Sequence, residues 1–319
     1  MYFRCGFFGD NLADYSLFIM EKSKSVSLVL SSGGARGLAH VGVIEELVKR
    51  GYHIAEIAGC SAGALVGGMY AAGKMEEFKD WICHLDRLDV FSLMDFTFST
   101  RGFIKGDKVY NALKKVVKDC QIEDFDIPFY CNAVDYISGK EVIFNEGSLY
   151  AAIRASGSIP TVFQPARHHR YELVDGGVLN PVPLSLLRHA DENMIVVVGL
   201  NAGDTELVLP PKKGAKGKSF MSIPSWLTDY RIKMRQYFPE QVKEEKPASL
   251  SSISLMTRSF DLLQDRFSAL LIEKYEVDIS IQIARNQAGT LEFHRAEELI
   301  EIGREKAIQA LDNWENENS

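Results

Sequence analysis

Gly59-Cys60-Ser61-Ala62-Gly63 constrains this chain more than any other segment. A G-x-S-x-G turn requires a strand before it and a helix after it. Side chains at the two glycines would collide with neighbouring strand and helix backbone. The flanks comply: Ile54, Ile57 and Ala58 suit a strand, and Ala62 to Ala72 is small, apolar and compatible with a helix. Such a turn lifts the Ser61 hydroxyl to the top of a sheet, where it is a candidate nucleophile. Cys60 reads as a small buried neighbour, since the turn presents Ser61 and not the residue before it.

Upstream, Val26–Leu30 reads as a short buried strand that runs into Ser31-Ser32-Gly33-Gly34-Ala35-Arg36-Gly37 and then an apolar, helix-periodic stretch through Leu47. Backbone amides in such a turn sit at the positive end of a helix dipole and stabilise an anion. A dinucleotide phosphate would require G-x-G-x-x-G and an acid at the end of the next strand. Here Ser32 occupies the first glycine position and Glu56 falls inside the strand, so the fit is poor. Arg36 has two readings: a guanidinium that holds a phosphate or steadies the loop, or an ion pair at a helix start.

Downstream lies Leu173-Val174-Asp175-Gly176-Gly177, a strand end followed by two glycines. Asp175 there is a candidate general base. An ordinary aspartate is far too weak a base for a serine hydroxyl, so it would have to be desolvated and bonded directly to Ser61. Alone, the same dipeptide is also a common turn in which aspartate caps its own loop.

Together these segments resemble the patatin-like phospholipases, in particular the bacterial branch similar to the catalytic domain of neuropathy target esterase. The resemblance rests on Gly33-Gly34-Ala35-Arg36-Gly37-Leu38-Ala39-His40, the Ser61 turn, Ala155-Ser156-Gly157-Ser158-Ile159-Pro160-Thr161-Val162-Phe163-Gln164-Pro165, and Asp175-Gly176-Gly177, in that order across about Ser25 to Leu200. It implies a Ser–Asp dyad without histidine: Ser61 as nucleophile and Asp175 as base. The nucleophile turn would be framed by Gly59 and Gly63, and the Asp-Gly loop by Gly176 and Gly177. Gly33, Gly34, Ala35 and Arg36 would form the oxyanion hole. The family usually has a third glycine where this chain has Ser32.

A Ser-His-Asp hydrolase is the mechanistic rival, and His189 or His294 would have to serve it. Neither lies in a recognisable loop motif: His189 follows a helix-like Leu184–Arg188, and His294 falls in an apparent strand. His40 reads as a packed, hydrogen-bonded histidine. His168-His169, between Arg167 and Arg170, reads as a solvated loop or a lipid head-group contact. The seven histidines show no H-E-x-x-H or paired Cys/His spacing, so no metal is expected, and the expected chemistry requires no cofactor. The five cysteines form no C-x-x-C pair, as for reduced thiols in the cytosol. A net charge of −7 argues against nucleic acid as a partner. No apolar run approaches the roughly eighteen residues that span a bilayer, and residues 1–19 make a poor signal peptide.

Strands at Val26–Leu30, Ile54–Ala58, Phe129–Val134, Glu141–Phe144, Leu173–Val174 and Met194–Leu200, alternating with helices, imply an α/β fold around a mostly parallel sheet covered on both faces. By resemblance this is the three-layer α/β/α patatin-like sandwich. Residues 1–24 read as an N-terminal extension, disordered or upstream of a start at Met20; residues 25–200 as the catalytic core; residues 201–319 as the C-terminal part of the same domain. Phe91, Phe96, Phe98 and Phe103 mark a core excursion or an acyl-chain pocket or lid. Lys212, Lys213, Lys216 and Lys218, followed by Phe220 and Trp226, suit either a solvated loop before a packed helix or contact with an anionic lipid surface. Apolar residues at 253, 256, 260, 263, 267 and 270 mark a long helix packed on the sheet, before a last strand at Val277–Ile283 and an acidic helix at Ala296–Trp314. The expectation is a cytoplasmic serine esterase acting on phospholipid or lysophospholipid acyl esters, or one peripheral at the inner membrane surface. The alternatives are a non-catalytic lipid-binding protein and an acyltransferase using the same serine.

Overall fold

A computed structural model describes residues 24–97, 104–203 and 252–318 of the chain. The basic segment from Lys212 to Trp226, Phe98, Phe103 and the extension before Lys24 lie outside the described residues.

The centre of the molecule is a sheet with eight strands among the described residues. Its strands are β1 (Ser25–Leu30), β2 (His53–Cys60), β3 (Phe129–Asp135), β4 (Lys140–Phe144), β5 (Ala166–His168), β6 (Tyr171–Asp175), β7 (Met194–Ala202) and β8 (Ile279–Ala284). The order is β5-β6-β3-β2-β1-β7-β8, with β4 also on β3. β1, β2, β3, β7 and β8 pair in parallel, while β4 and β6 run antiparallel to β3, and β5 antiparallel to β6. The central strands are near-continuous runs of apolar residues, as expected for strands covered on both faces.

On one face lies the main core. It is built by α1 (Ala39–Lys49), α2 (Ala62–Ala71), α3 (Met75–Cys83), α4 (Arg87–Leu93), α5 (Asp107–Val116), α6 (Leu149–Ser156) and a C-terminal helix, Ala296–Glu317. That last helix crosses α1 through Gly42 and Gly303, where a Cβ on either residue would fall 1.9 Å from a carbonyl oxygen of the other helix. A second, smaller core on the opposite face gathers Val29, Ala58 and Val197 beneath Val182, Leu184 and Leu186. It is completed by Leu271, Ile272 and Tyr275 from the end of α7 (Ser252–Lys274) and just beyond it. The C-terminal helix is therefore α8, and the molecule has three layers.

Three expectations are corrected. His294 lies in a short 3-10 turn, Phe293–Arg295, and not in a strand. The stretch after Pro183 forms only the 3-10 turn Leu184–Leu186. On α7, Met256, Leu263, Phe267 and Leu270 are exposed, and the helix turns Gln264 and Ser268 inward instead. Periodicity placed an apolar stripe correctly along α7 but not what that stripe would face.

Candidate active site

The candidate residues converge where β2 ends and β3 continues. Cys60 pairs with Asn132, and β3 runs three residues past that level. Along this overhang β6 descends antiparallel, bringing Asp175 opposite Ala133. A serine and an aspartate 114 positions apart are thereby delivered to adjacent places: Ser61 Oγ donates to Asp175 Oδ2 at 2.5 Å.

Ser61 has φ 55° and ψ −114°, a conformation that costs a residue with a side chain of order 1–3 kcal/mol and persists only where its surroundings over-determine it. They do so here. A Cβ on Gly59 would lie 2.5 Å from the Gly63 carbonyl, and a Cβ on Gly63 would lie 2.1 Å from that of Leu30, so only glycines permit the turn. The Ser61 amide donates to Ser156 Oγ at 2.8 Å. Ser61 is also the N-cap of α2, at the positive end of its dipole.

Asp175 is buried, and each carboxylate oxygen is engaged. Oδ1 accepts from the Gly177 amide at 2.7 Å and, more weakly, from Cys60 Sγ at 3.9 Å; Oδ2 takes the Ser61 hydroxyl. Burial pushes its pKa up to about 6, and the bonds from Ser61, Gly177 and Cys60 hold the rise in check. Asn132, itself fully buried, fastens the same loop by donating to the carbonyl oxygens of Asn180 at 3.1 Å and Gly176 at 3.4 Å. No histidine intervenes between hydroxyl and carboxylate. His189 is half-exposed beside Glu192, and its amide donates to Glu56 at 2.9 Å. His40 is buried against the Ser31 carbonyl at 3.0 Å, as expected of a packed histidine, and burial lowers its pKa to about 4.

The glycine-rich segment folds as a 3-10 turn, Gly34–Leu38, leading directly into α1. The amide of Ala35 donates to the Thr290 carbonyl at 2.9 Å, so it is committed elsewhere in this geometry. Those of Gly33 and Gly34 have no acceptor among the described residues. The Arg36 side chain is buried and donates to the carbonyls of Leu200 at 3.1 Å and Ala288 at 2.8 Å. Burial, followed by the nearby Arg285, lowers its pKa to about 10. These bonds tie the start of the glycine-rich turn to β7 and to the segment after β8, and no carboxylate among the described residues pairs with Arg36.

Two cavities meet at Gly34 and Ile159. One opens on Ser61 and is almost wholly apolar, with Leu65, Phe78, Trp81, Val90, Val109 and Leu113 in its wall. From the aromatic stretch, the aliphatic residues Val90, Leu93, Met94 and Ile104 line this cavity, while Phe91 and Phe96 stand exposed. The other cavity opens on Asp175 and is lined by Ser32, Arg36, Asp261, Gln264 and Arg285. Ser156 lies inside the segment of residues 155–165, whose sequence does not announce its contact with the Ser61 amide. Asn132, Phe78, Trp81 and Gln264 carry no motif, and only the folded chain brings them to the site.

Fold and site define a class of α/β proteins in which a strained serine turn faces a buried aspartate across the top of a mostly parallel sheet. The chain belongs to the patatin-like phospholipase family, whose model matches residues 28–188. An uncharacterized NTE family protein of Mycobacterium tuberculosis is 34% identical over 92% of this chain and 93% of its own length. A second from that organism is 29% identical over 90% of this chain and 46% of its own length. The lysophospholipase NTE1 of Pyricularia oryzae is 25% identical over 93% of this chain, which spans 19% of that protein. Among the described residues no helix is long and apolar enough to cross a membrane.

Proposed function

We propose that the protein is a serine lipid acyl hydrolase cleaving phospholipid or lysophospholipid esters. The observation that carries this reading is the 2.5 Å bond from Ser61 Oγ to Asp175 Oδ2, made by a carboxylate already disposed by burial to accept a proton. Ser61 Oγ attacks the ester carbonyl as its proton passes to Asp175. The oxyanion forms against the unpaired amides of Gly33 and Gly34, donors of a kind worth roughly 3 kcal/mol each. The alcohol then departs with the proton from Asp175, leaving an acyl-Ser61. Water loses a proton to Asp175 as it attacks this ester, and Ser61 is re-protonated as the fatty acid leaves. The acyl chain occupies the apolar cavity beside Ser61 and the alcohol side faces the polar one. The lysophospholipase name of the fungal relative supports the substrate class.

The test is hydrolysis of a short p-nitrophenyl ester and of a lysophospholipid by the purified protein, Ser61→Ala and Asp175→Asn. Turnover by the wild type, falling by about 10⁴-fold or more in both variants, is the expected result. Turnover that survives Asp175→Asn would require another base. No turnover of either ester by the wild type would sink the hydrolase reading.

A further inference from the structure

The family model ends at residue 188, yet a side chain far beyond it reaches the catalytic loops. Gln264 is on α7 and is 8% exposed. Its Nε2 donates to the Gly177 carbonyl at 3.1 Å and lies 3.5 Å from Ser32 Oγ. Gly177 is also the residue whose amide holds Asp175 Oδ1. Its backbone is thus gripped from both sides: the N–H by the base, the C=O by Gln264. The convergence is tight enough that a Cβ on Gly177 would fall 2.3 Å from Gln264 Nε2 and 3.0 Å from both Asp175 Oδ1 and Ser32 Oγ.

We infer that Gln264 is a positioning residue, a clasp that joins the Asp175 loop to the glycine-rich loop and sets the geometry of the base. This rests on the hydrolase reading of the Ser61 site. Three features support it. Asp261 and Asp265, three residues before and one after Gln264, both grip Arg285 at the end of β8, with Asp261 Oδ1 at 3.0 Å from Arg285 Nη1 and Asp265 oxygens at 2.8 and 3.0 Å from Arg285 Nε. That pins this part of α7 against the sheet and fixes the height of Gln264. Ser32 then has a use: its hydroxyl lies 3.5 Å from Gln264 Nε2 and its amide donates to the Pro181 carbonyl at 2.9 Å, so it links the glycine-rich loop both to α7 and to the chain just after the Asp175 loop. Finally, Gln264 Nε2 donates the hydrogen bond that holds the Gly177 carbonyl, so removing the amide takes that restraint from Gly177 and loosens the Asp175 carboxylate with it.

The experiment compares the wild type with Gln264→Leu, Gln264→Glu and, as a control on the same helix, Leu263→Ala, whose side chain is 70% exposed. The substrate is a soluble short-chain p-nitrophenyl ester. Thermal unfolding monitored by circular dichroism establishes that each variant is folded. Gln264→Leu is expected to lower kcat about tenfold with KM within twofold, and to move the acidic limb of the kcat/KM profile, which reports the base. Gln264→Glu keeps the shape and, when protonated, can still donate; it is expected to approach wild-type activity at low pH and to lose it as the new carboxylate ionises against the carbonyl. Should Gln264→Leu fail to fold, the pH dependence of Gln264→Glu decides. An unchanged kcat and pH limb in Gln264→Leu, a Gln264→Glu variant whose deficit is independent of pH, or an equal loss in Leu263→Ala would each overturn the clasp. A wild type that turned over neither this ester nor a lysophospholipid would instead overturn the hydrolase reading beneath it.

Discussion

The two cavities that share Gly34 and Ile159 are built by opposite means. The one beside Ser61 is walled by Leu65, Phe78, Trp81 and Leu113, contributed by helices of the main core, and is a continuation of that core. It can select only by length and shape, since aliphatic walls discriminate by about 1–3 kcal/mol per methylene. The one beside Asp175 is walled by Ser32, Asp261, Gln264 and Arg285, each already committed to a partner in the protein. It presents directed polar groups, and under the proposed mechanism it would also hold the base in place. Under the proposed mechanism the site separates tolerance from precision: an apolar side that accepts what fits, and a polar side in which small displacements reach the chemistry.

The largest effect that would test this division comes from Asp175, which belongs to the polar side. Burial raises its pKa from an ordinary 3.8 to about 6. Since the folded value exceeds the unfolded one, the stability that the protonated form contributes is present in full below about 4 and is lost as pH rises through about 6. Activity runs the other way, because only the ionised form accepts a proton: kcat/KM should rise through about pH 6 and then level. Asp175→Asn should therefore abolish turnover yet raise Tm by several degrees at pH 8, measured calorimetrically, with the gain vanishing near pH 4. A lower Tm at pH 8 would show that the carboxylate is held by more favourable contacts than its burial costs.

How much of this was legible in the sequence follows the same split. The Ser61 turn, the glycine-rich segment and the Asp-Gly loop are local devices, written in glycine spacing, and their strand and helix flanks could be read around them. The meeting of Ser61 with Asp175 depends on β3 overhanging β2, which no local pattern encodes. Gln264 was hidden for a definite reason: apolar periodicity on α7 drew the buried face through Met256, Leu263 and Phe267, whereas the helix buries Gln264 and Ser268. A polar residue satisfied by a loop carbonyl is invisible to hydrophobic patterning. Ala35 was expected among the anion donors, but its amide is taken by Thr290, a residue 255 positions away.

A smaller effect sharpens the apolar side. Val109 on α5 lines that cavity and is only partly buried, so Val109→Phe adds bulk at little risk to the fold. Esters with long acyl chains should lose about tenfold in kcat/KM, while p-nitrophenyl acetate changes by less than twofold. Equal losses on both would place the chain elsewhere and undo the contrast between the cavities.

The smallest expected effect concerns Asp261. Its carboxylate lines the polar cavity and binds Arg285 Nη1, but Asp265 holds the same guanidinium through two oxygens. Asp261→Asn therefore removes one negative charge from the cavity while Arg285 keeps a partner. A partly exposed carboxylate attracts a cation a few ångströms away by about 1 kcal/mol in a medium close to water. A lysophospholipid with a quaternary ammonium head group should thus lose about two- to fivefold in kcat/KM relative to a neutral monoacylglycerol, and the difference should shrink in 0.5 M salt, where screening is strong. A ratio unchanged by the substitution at low salt would mean that the polar cavity positions the base without reading the head group.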